Sequence, residues 1–171
     1  TPSAEVAADY AAEPPGGTGR RVAGEPSPRP GGRLRPTDSS ASSYSQPASS
    51  GRLTYGPENA IDGDRTTGWQ ISDGGPGEWI RFDFSGVVRL DRLGLVPGYD
   101  KVLSDRTGDR WPLNNRVRRV RLEWEGGGTE YSFADDRAMQ WVEVGGAPTS
   151  WIRITILTIR SGERWNDTVI S

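Results

Sequence analysis

From Trp79 onward the chain repeats in twos, and that period constrains the fold more than any other feature. In Trp79–Phe84, the residues Ile80, Phe82 and Phe84 alternate with Trp79, Arg81 and Asp83, the signature of a strand with one buried face. Arg118–Glu125 repeats the pattern: Val120, Leu122 and Trp124 fall on one face with Arg118, and Arg119, Arg121 and Glu123 fall on the other. Val87–Pro97 carries Val88, Leu90, Leu93 and Leu95, and the slip between Leu90 and Leu93 predicts a bulge near Asp91–Arg92. Gly126-Gly127-Gly128 reads as the turn of a hairpin into Thr129–Phe133. Met139–Val144 and Ser150–Ile159 make two further strands, the second β-branched and aromatic enough to be central. Thr168–Ile170 begins another. A single helical turn, opened by a proline, is expected at Pro57–Ile61. At least seven short strands punctuated by Gly, Asp and Asn predict an all-β sandwich or barrel.

All seven tryptophans lie after residue 50. Trp124 falls on the apolar face of its strand, Trp141 and Trp151 are expected in the core, and Trp79 is either an inter-sheet residue or an exposed aromatic. Residues 1–50 hold eight Pro, six Gly and nine Ser with few large aliphatics, too little apolar surface to offset chain entropy. They are expected to form a disordered linker, 13–36 rich in Pro, Gly and Arg and 37–51 rich in Ser, with the folded domain at 51–171. The chain starts at Thr1, which suggests a piece of something longer with an anchor or targeting segment upstream.

The chain has no His and no Cys. This excludes Ser–His–Asp and Cys–His nucleophilic sites and every His/Cys metal centre. Any bound metal must take oxygen ligands, which favours calcium or magnesium. The net charge of −2 gives no excess for nucleic acid. The arginines around Arg119 and Arg121 therefore read as a solvated strand face. No apolar run is long enough to span a membrane.

The acids and hydroxyls at Asp62-Gly63-Asp64-Arg65-Thr66-Thr67 have two readings. A loop folding back at Gly63 could aim carboxylates, hydroxyls and carbonyls at one calcium. Equally, Asp62 and Asp64 could cap local N–H groups in a plain turn. The wider string Asn59-Ala60-Ile61-Asp62-Gly63-Asp64-x-x-Thr67-x-Trp69 resembles the opening signature of discoidin, or F5/8 type C, domains. These are galactose-binding-like jelly rolls that include many carbohydrate-binding modules. Gly77–Phe84 and Val88–Leu95 resemble the strand pair that follows in that family. Gly98-Tyr99-Asp100-Lys101, Asn114–Val120 and Gly162-x-x-Trp165-Asn166-Asp167-Thr168-x-Ile170-Ser171 resemble one subgroup. It is related to the glycan-binding translocation domain of streptococcal NAD glycohydrolase and to the last domain of many actinobacterial membrane-anchored proteins.

The resemblance covers about residues 51–171. It implies a discoidin-like jelly-roll β-sandwich, a structural calcium at Asp62, Asp64 and Thr67, a glycan or glycan-bearing surface as partner, and a place outside the cell or on its surface. It implies a binding module and no NAD hydrolysis. In the subgroup a Glu usually follows the final Ser, where this chain stops at Ser171.

Such a sandwich presents loops at one end. Here they carry Tyr99, Asp100 and Lys101, then Trp111, Asn114, Asn115 and Arg116, then Arg164, Trp165, Asn166 and Asp167. A sugar site needs an aromatic face for ring C–H groups and planar or charged groups for hydroxyls, and each loop supplies both. Each residue also has a structural reading. Asn114 and Asn115 could close a turn, Arg116 could pair with Asp100 or Asp167, Trp165 could lid the sandwich edge, and Tyr99 could be a corner residue. Two other functions remain open at this point. A carboxylate-pair glycosidase would use Asp100 with Asp105 or Asp167. A protein- or lipid-headgroup-binding domain would use Val102-Leu103 and Trp111-Pro112-Leu113.

Overall fold

The structure is a computed structural model, and it describes the backbone of residues 4–7 and residues 32–46, 54–105 and 108–171. The strands are β1 (Ala4–Ala7), β2 (Arg33–Leu34), β3 (Asp38–Ala41), β4 (Trp69–Ile71), β5 (Trp79–Leu95), β6 (Arg116–Trp124), β7 (Gly127–Ser132), β8 (Gln140–Arg160) and β9 (Thr168–Ile170). A 3-10 turn at Pro57–Ala60 and the single-turn helix α1 (Arg110–Leu113) are the helical pieces among these residues.

The main sheet runs β2-β1-β5-β8-β6-β7 with β3 also paired to β5, and β4 pairs β9 separately. All these pairings are antiparallel. What the sequence suggested as four strands is two long ones. β5 unites Trp79–Phe84 with Val87–Leu95, and β8 unites Met139–Val144 with Ser150–Ile159 apart from the first residue. Their register slips between Asp83 and Val88 and again between Leu90 and Arg92. The second slip is the expected bulge at Asp91–Arg92. Because both halves of each long strand point apolar side chains inward, Ile80, Phe82, Leu93, Leu95, Val142, Ile152, Ile154 and Ile156 meet in one core. Each such residue, fully buried, contributes about 1.5–3 kcal/mol. β8 lies between β5 and β6, central as expected.

Four readings change. The hairpin turn is Glu125–Gly126, so Gly127 and Gly128 already belong to β7, where Trp124 faces Gly127. In β6 the register slips on both sides of Arg119. Val117 and Val120 therefore both face inward while Arg118 is exposed, against the simple alternation. Trp141 and Trp151 are not core residues. Each is half-buried on the outer side of its strand, under Arg92 at 4.4 Å and Arg81 at 4.6 Å respectively. Trp79 takes the same arrangement beside Arg153.

The fourth change concerns the domain boundary. β3 pairs with β5 from Asp38↔Asp83 to Ala41↔Ile80. Ser45 donates its N–H to the Gln70 carbonyl, and the Trp69 indole donates to the Ser43 carbonyl, each at 2.8 Å. Residues 32–46 thus belong to the folded unit. The rest of the expected linker, apart from β1, lies outside the described residues. No helix among the described residues is long and apolar enough to cross a membrane.

Candidate functional site

The loops named from the sequence divide into a buried base and a solvent-facing top. The base is Asn114, Asn115 and Arg116. Asn115 is 1 % exposed. Its amide donates to the Asn166 carbonyl at 2.8 Å and to Asn166 Oδ1 at 3.1 Å, and its Oδ1 accepts the Gly162 N–H at 2.8 Å. Asn114, also buried, donates to the Arg110 carbonyl at 2.9 Å. Arg116 directs one guanidinium nitrogen at the carbonyls of Trp111, Pro112 and Asn114, closing the C-terminal end of α1. Its Nε pairs with Asp135 at 2.8 Å rather than with Asp100 or Asp167. Asn114 and Arg116 thus fasten the end of α1, and Asn115 joins the segment after it to the 162–167 loop.

That docking is close. A Cβ at Gly162 would stand 2.5 Å from the Leu113 carbonyl oxygen, and one at Gly98 would stand 2.8 Å from the Trp111 ring. The N–H groups of Arg164 and Trp165 both reach the Leu113 carbonyl. Asp109 caps α1 by accepting the Trp111 N–H at 3.0 Å.

The top is Tyr99, Lys101, Arg164 and Trp165. The Lys101 ammonium lies 5.7 Å from the Tyr99 ring centre, and the guanidiniums of Arg110 and Arg164 lie 4.7 and 4.9 Å from that of Trp165. Such contacts hold a cation against an aromatic ring without neutralising it. Burial pushes the Tyr99 phenol above its ordinary pKa, with Arg110 opposing. Asn166 is exposed. Asp167 accepts from Gln70 Nε2 at 3.2 Å, and burial, then the nearby Asp73 carboxylate, raise its pKa.

Sequence reasoning missed Arg65 and Arg137. Asp100 pairs with Arg65 at 2.8 Å and with Arg137 at 3.7 Å; Arg137 also pairs with Asp109 and lies 5.6 Å from the Trp111 ring centre. Arg65 further donates to the Arg137 carbonyl. These arginines arrive from loops distant in sequence, and no local pattern marks them.

Arg65 also connects this cluster to the Asp62–Thr67 loop. There Asp62 Oδ1 accepts the Asp64 N–H at 2.7 Å, and Asp64 Oδ1 accepts from the Thr66 N–H and hydroxyl, each at 2.8 Å. The hydrogen bonds from Thr66 hold the Asp64 carboxyl below its usual pKa. This much is the turn reading. The Thr67 hydroxyl adds something else. It lies 2.7 Å from Asp62 Oδ2, 2.7 Å from the Asp64 carbonyl and 3.5 Å from the Asn59 carbonyl. One hydroxyl proton cannot serve three acceptors; the Asp64 carbonyl also accepts the Thr67 N–H at 3.2 Å, which leaves Asp62 Oδ2 and the Asn59 carbonyl to compete for the hydroxyl. The Ser171 hydroxyl is buried without a hydrogen-bond partner among the described residues and would stand 3.1 Å from a Cβ at Gly68. These oxygens suit a hard cation in type, although calcium takes six to eight of them. Among the described residues no group of three or more acidic side chains supplies a denser site.

Comparison with known proteins follows the same lines. A family model described as "NAD glycohydrolase translocation F5/8 type C domain" matches residues 34–171. Among solved structures, the arabinofuranosyltransferase AftD from Mycobacteria superposes with a TM-score of 0.57 at 20% identity, covering 78% of this chain. This chain spans 10% of AftD. The CBM32 of AlyQ, in complex with 4,5-unsaturated mannuronic acid, gives 0.53 at 20% identity over 80% of this chain and 95% of that one. The family 32 CBM from C. perfringens NanJ, in complex with galactose, gives 0.55 at 12% identity over 78% and 93%. At these identities the likeness is one of fold. No curated protein matches.

Proposed function

The chain belongs to the NAD glycohydrolase translocation F5/8 type C domain family, and from that premise we propose that it is a non-catalytic carbohydrate-binding module whose site is the loop end bearing Tyr99, Lys101, Arg164 and Trp165. One observation carries the reading. Asn114, Asn115 and Arg116 spend their polar atoms inward, fixing the loops. Tyr99, Lys101, Arg164 and Trp165 form no hydrogen bond or ion pair through their side chains to another described residue. A rigid base under uncommitted polar and aromatic groups is how a shallow sugar site is built. The saccharides held by the AlyQ and NanJ modules support the same reading.

The mechanism is recognition on a preformed surface. The Tyr99 and Trp165 rings offer apolar faces or edges to sugar C–H groups, Lys101 and Arg164 donate to ring oxygens and hydroxyls, and Asn166 and Asp167 line the near edge. Calcium would be held by Asp62, Asp64 and Thr67 with the Asn59 carbonyl. Bound there it would supply positive charge to crowded oxygens and brace the loop from which Arg65 reaches Asp100. The module would act outside the cell or at its surface. A carboxylate glycosidase is disfavoured because Asp100 is committed to Arg65 and Arg137.

A glycan array probed with the full chain, in calcium and in chelator, tests this. Binding abolished by Trp165→Ala in a protein of unchanged melting temperature is the expected result. A blank array with folded protein refutes it, in favour of a protein or lipid-headgroup partner.

A further inference from the structure

Two cations at this loop end face each other across a hairpin. Val102 and Asp109 form an antiparallel bridge, and the Arg110 N–H donates to the Lys101 carbonyl at 2.8 Å. Lys101 and Arg110 are therefore directly opposed, with side chains leaving on the same side. Like charges in that relation repel, and a fold ordinarily avoids the arrangement or places an acid between them. Here the local acids are engaged elsewhere. Asp100 is held by Arg65 and Arg137, and Asp109 by Arg137. Asp64 feels the Lys101 charge but turns its Oδ1 to Thr66. Arg110 reaches Asp105 only at 3.8 Å. Lys101 and Arg164 have no carboxylate within 4.0 Å among the described residues. Instead the three cations lie against the Tyr99 and Trp165 rings, which orient them without neutralising them; Lys101 and Arg164 keep their charge outstanding, and Arg110 shares its own with Asp105 at 3.8 Å.

We propose that Lys101, Arg110 and Arg164 receive a sugar carboxylate, so that the ligand is an acidic saccharide carrying uronic-acid or similar carboxylated residues. The inference rests on the glycan reading above and narrows its ligand class. A guanidinium offers a carboxylate two parallel N–H donors, and the ammonium adds a point charge. The aromatic rings beside them suit the rest of the sugar ring. A polyanion of high charge density is a poorer fit, because the chain as a whole is net negative, −2.

Isothermal titration of the full chain tests it. The probes are galacturonate and mannuronate oligosaccharides, their neutral galactose and mannose counterparts, and a heparin oligosaccharide, each at low and high salt. Carboxylated probes are expected to bind at least about tenfold more tightly than their neutral counterparts, an advantage shrinking with salt. Lys101→Gln, Arg110→Gln and Arg164→Gln are each expected to erase most of that advantage, weakening the carboxylated probes by a larger factor than their neutral counterparts. Arg164 is exposed, so its variant reports even if Arg110→Gln disturbs α1. Equal binding of neutral and carboxylated probes, or preference for the sulfated one, overturns the inference and leaves the glycan reading standing. No binding by any saccharide overturns both.

Discussion

Removing the Asn115 side chain separates scaffold from contact most sharply. In Asn115→Ala the Gly162 N–H loses its acceptor at 2.8 Å. The Asn166 carbonyl loses one donor but keeps the Gly74 N–H at 2.9 Å. Asn115 is 1 % exposed and Gly162 half-buried, so water reaches the vacated space only in part, although Asn166 itself is exposed. One stranded buried donor costs about 1–3 kcal/mol, and the lost donor bonds add about 1 kcal/mol. The total is about 2–4 kcal/mol. For a domain matched over residues 34–171, each kcal/mol lowers the melting temperature by roughly 3–4 °C. The expected fall is therefore about 10 °C by scanning calorimetry. Asn115→Asp should do no better, since its charged oxygen would face the Asn166 carbonyl. A variant melting within about 2 °C of the parent, yet unable to bind ligand, would refute the reasoning and make Asn115 a contact residue.

Two further outcomes follow from the same geometry. Burial and Asp73 raise the folded pKa of Asp167, so ionising it costs stability that is lost as pH rises from the unfolded value of 3.8 through the folded one. Asp167→Asn is therefore expected to be more stable than the parent at pH 7, the gap closing near pH 3; a gap independent of pH in urea titrations would contradict this. Calcium at a hundredfold excess over its dissociation constant should add about 2.7 kcal/mol, or roughly 8–10 °C, and Asp62→Asn should abolish the gain. Identical melting curves in calcium and chelator would return the loop to an ordinary turn.

The fold was legible where burial alternates and opaque where stability comes from backbone pairing alone. β5, β6 and β8 show themselves because every second residue enters the core. β3, reading Asp-Ser-Ser-Ala, has no apolar period; its place is fixed by main-chain bonds to β5, so composition alone put it in the linker. Trp141 and Trp151 misled because an indole under a guanidinium is half-buried without being inside. In the site, residue type was legible and role was not. Asparagine and arginine suit a sugar hydroxyl and a helix carbonyl equally, and only the fold shows that Asn115 and Arg116 turned inward while Lys101 and Arg164 did not.

The long strands also govern when the molecule comes into being. β5 cannot complete its ladder until β8 exists, with Trp79 waiting for Thr155, and among the described residues β4 has no strand to pair with until Thr168–Ile170 arrive. Contacts so distant along the chain make folding slow and cooperative. On a ribosome the first hundred residues offer, among the described strands, only the pairings of β1 with β2 and of β1 and β3 with β5, and the loops bearing Tyr99, Asn115 and Trp165 come together only when the later strands form.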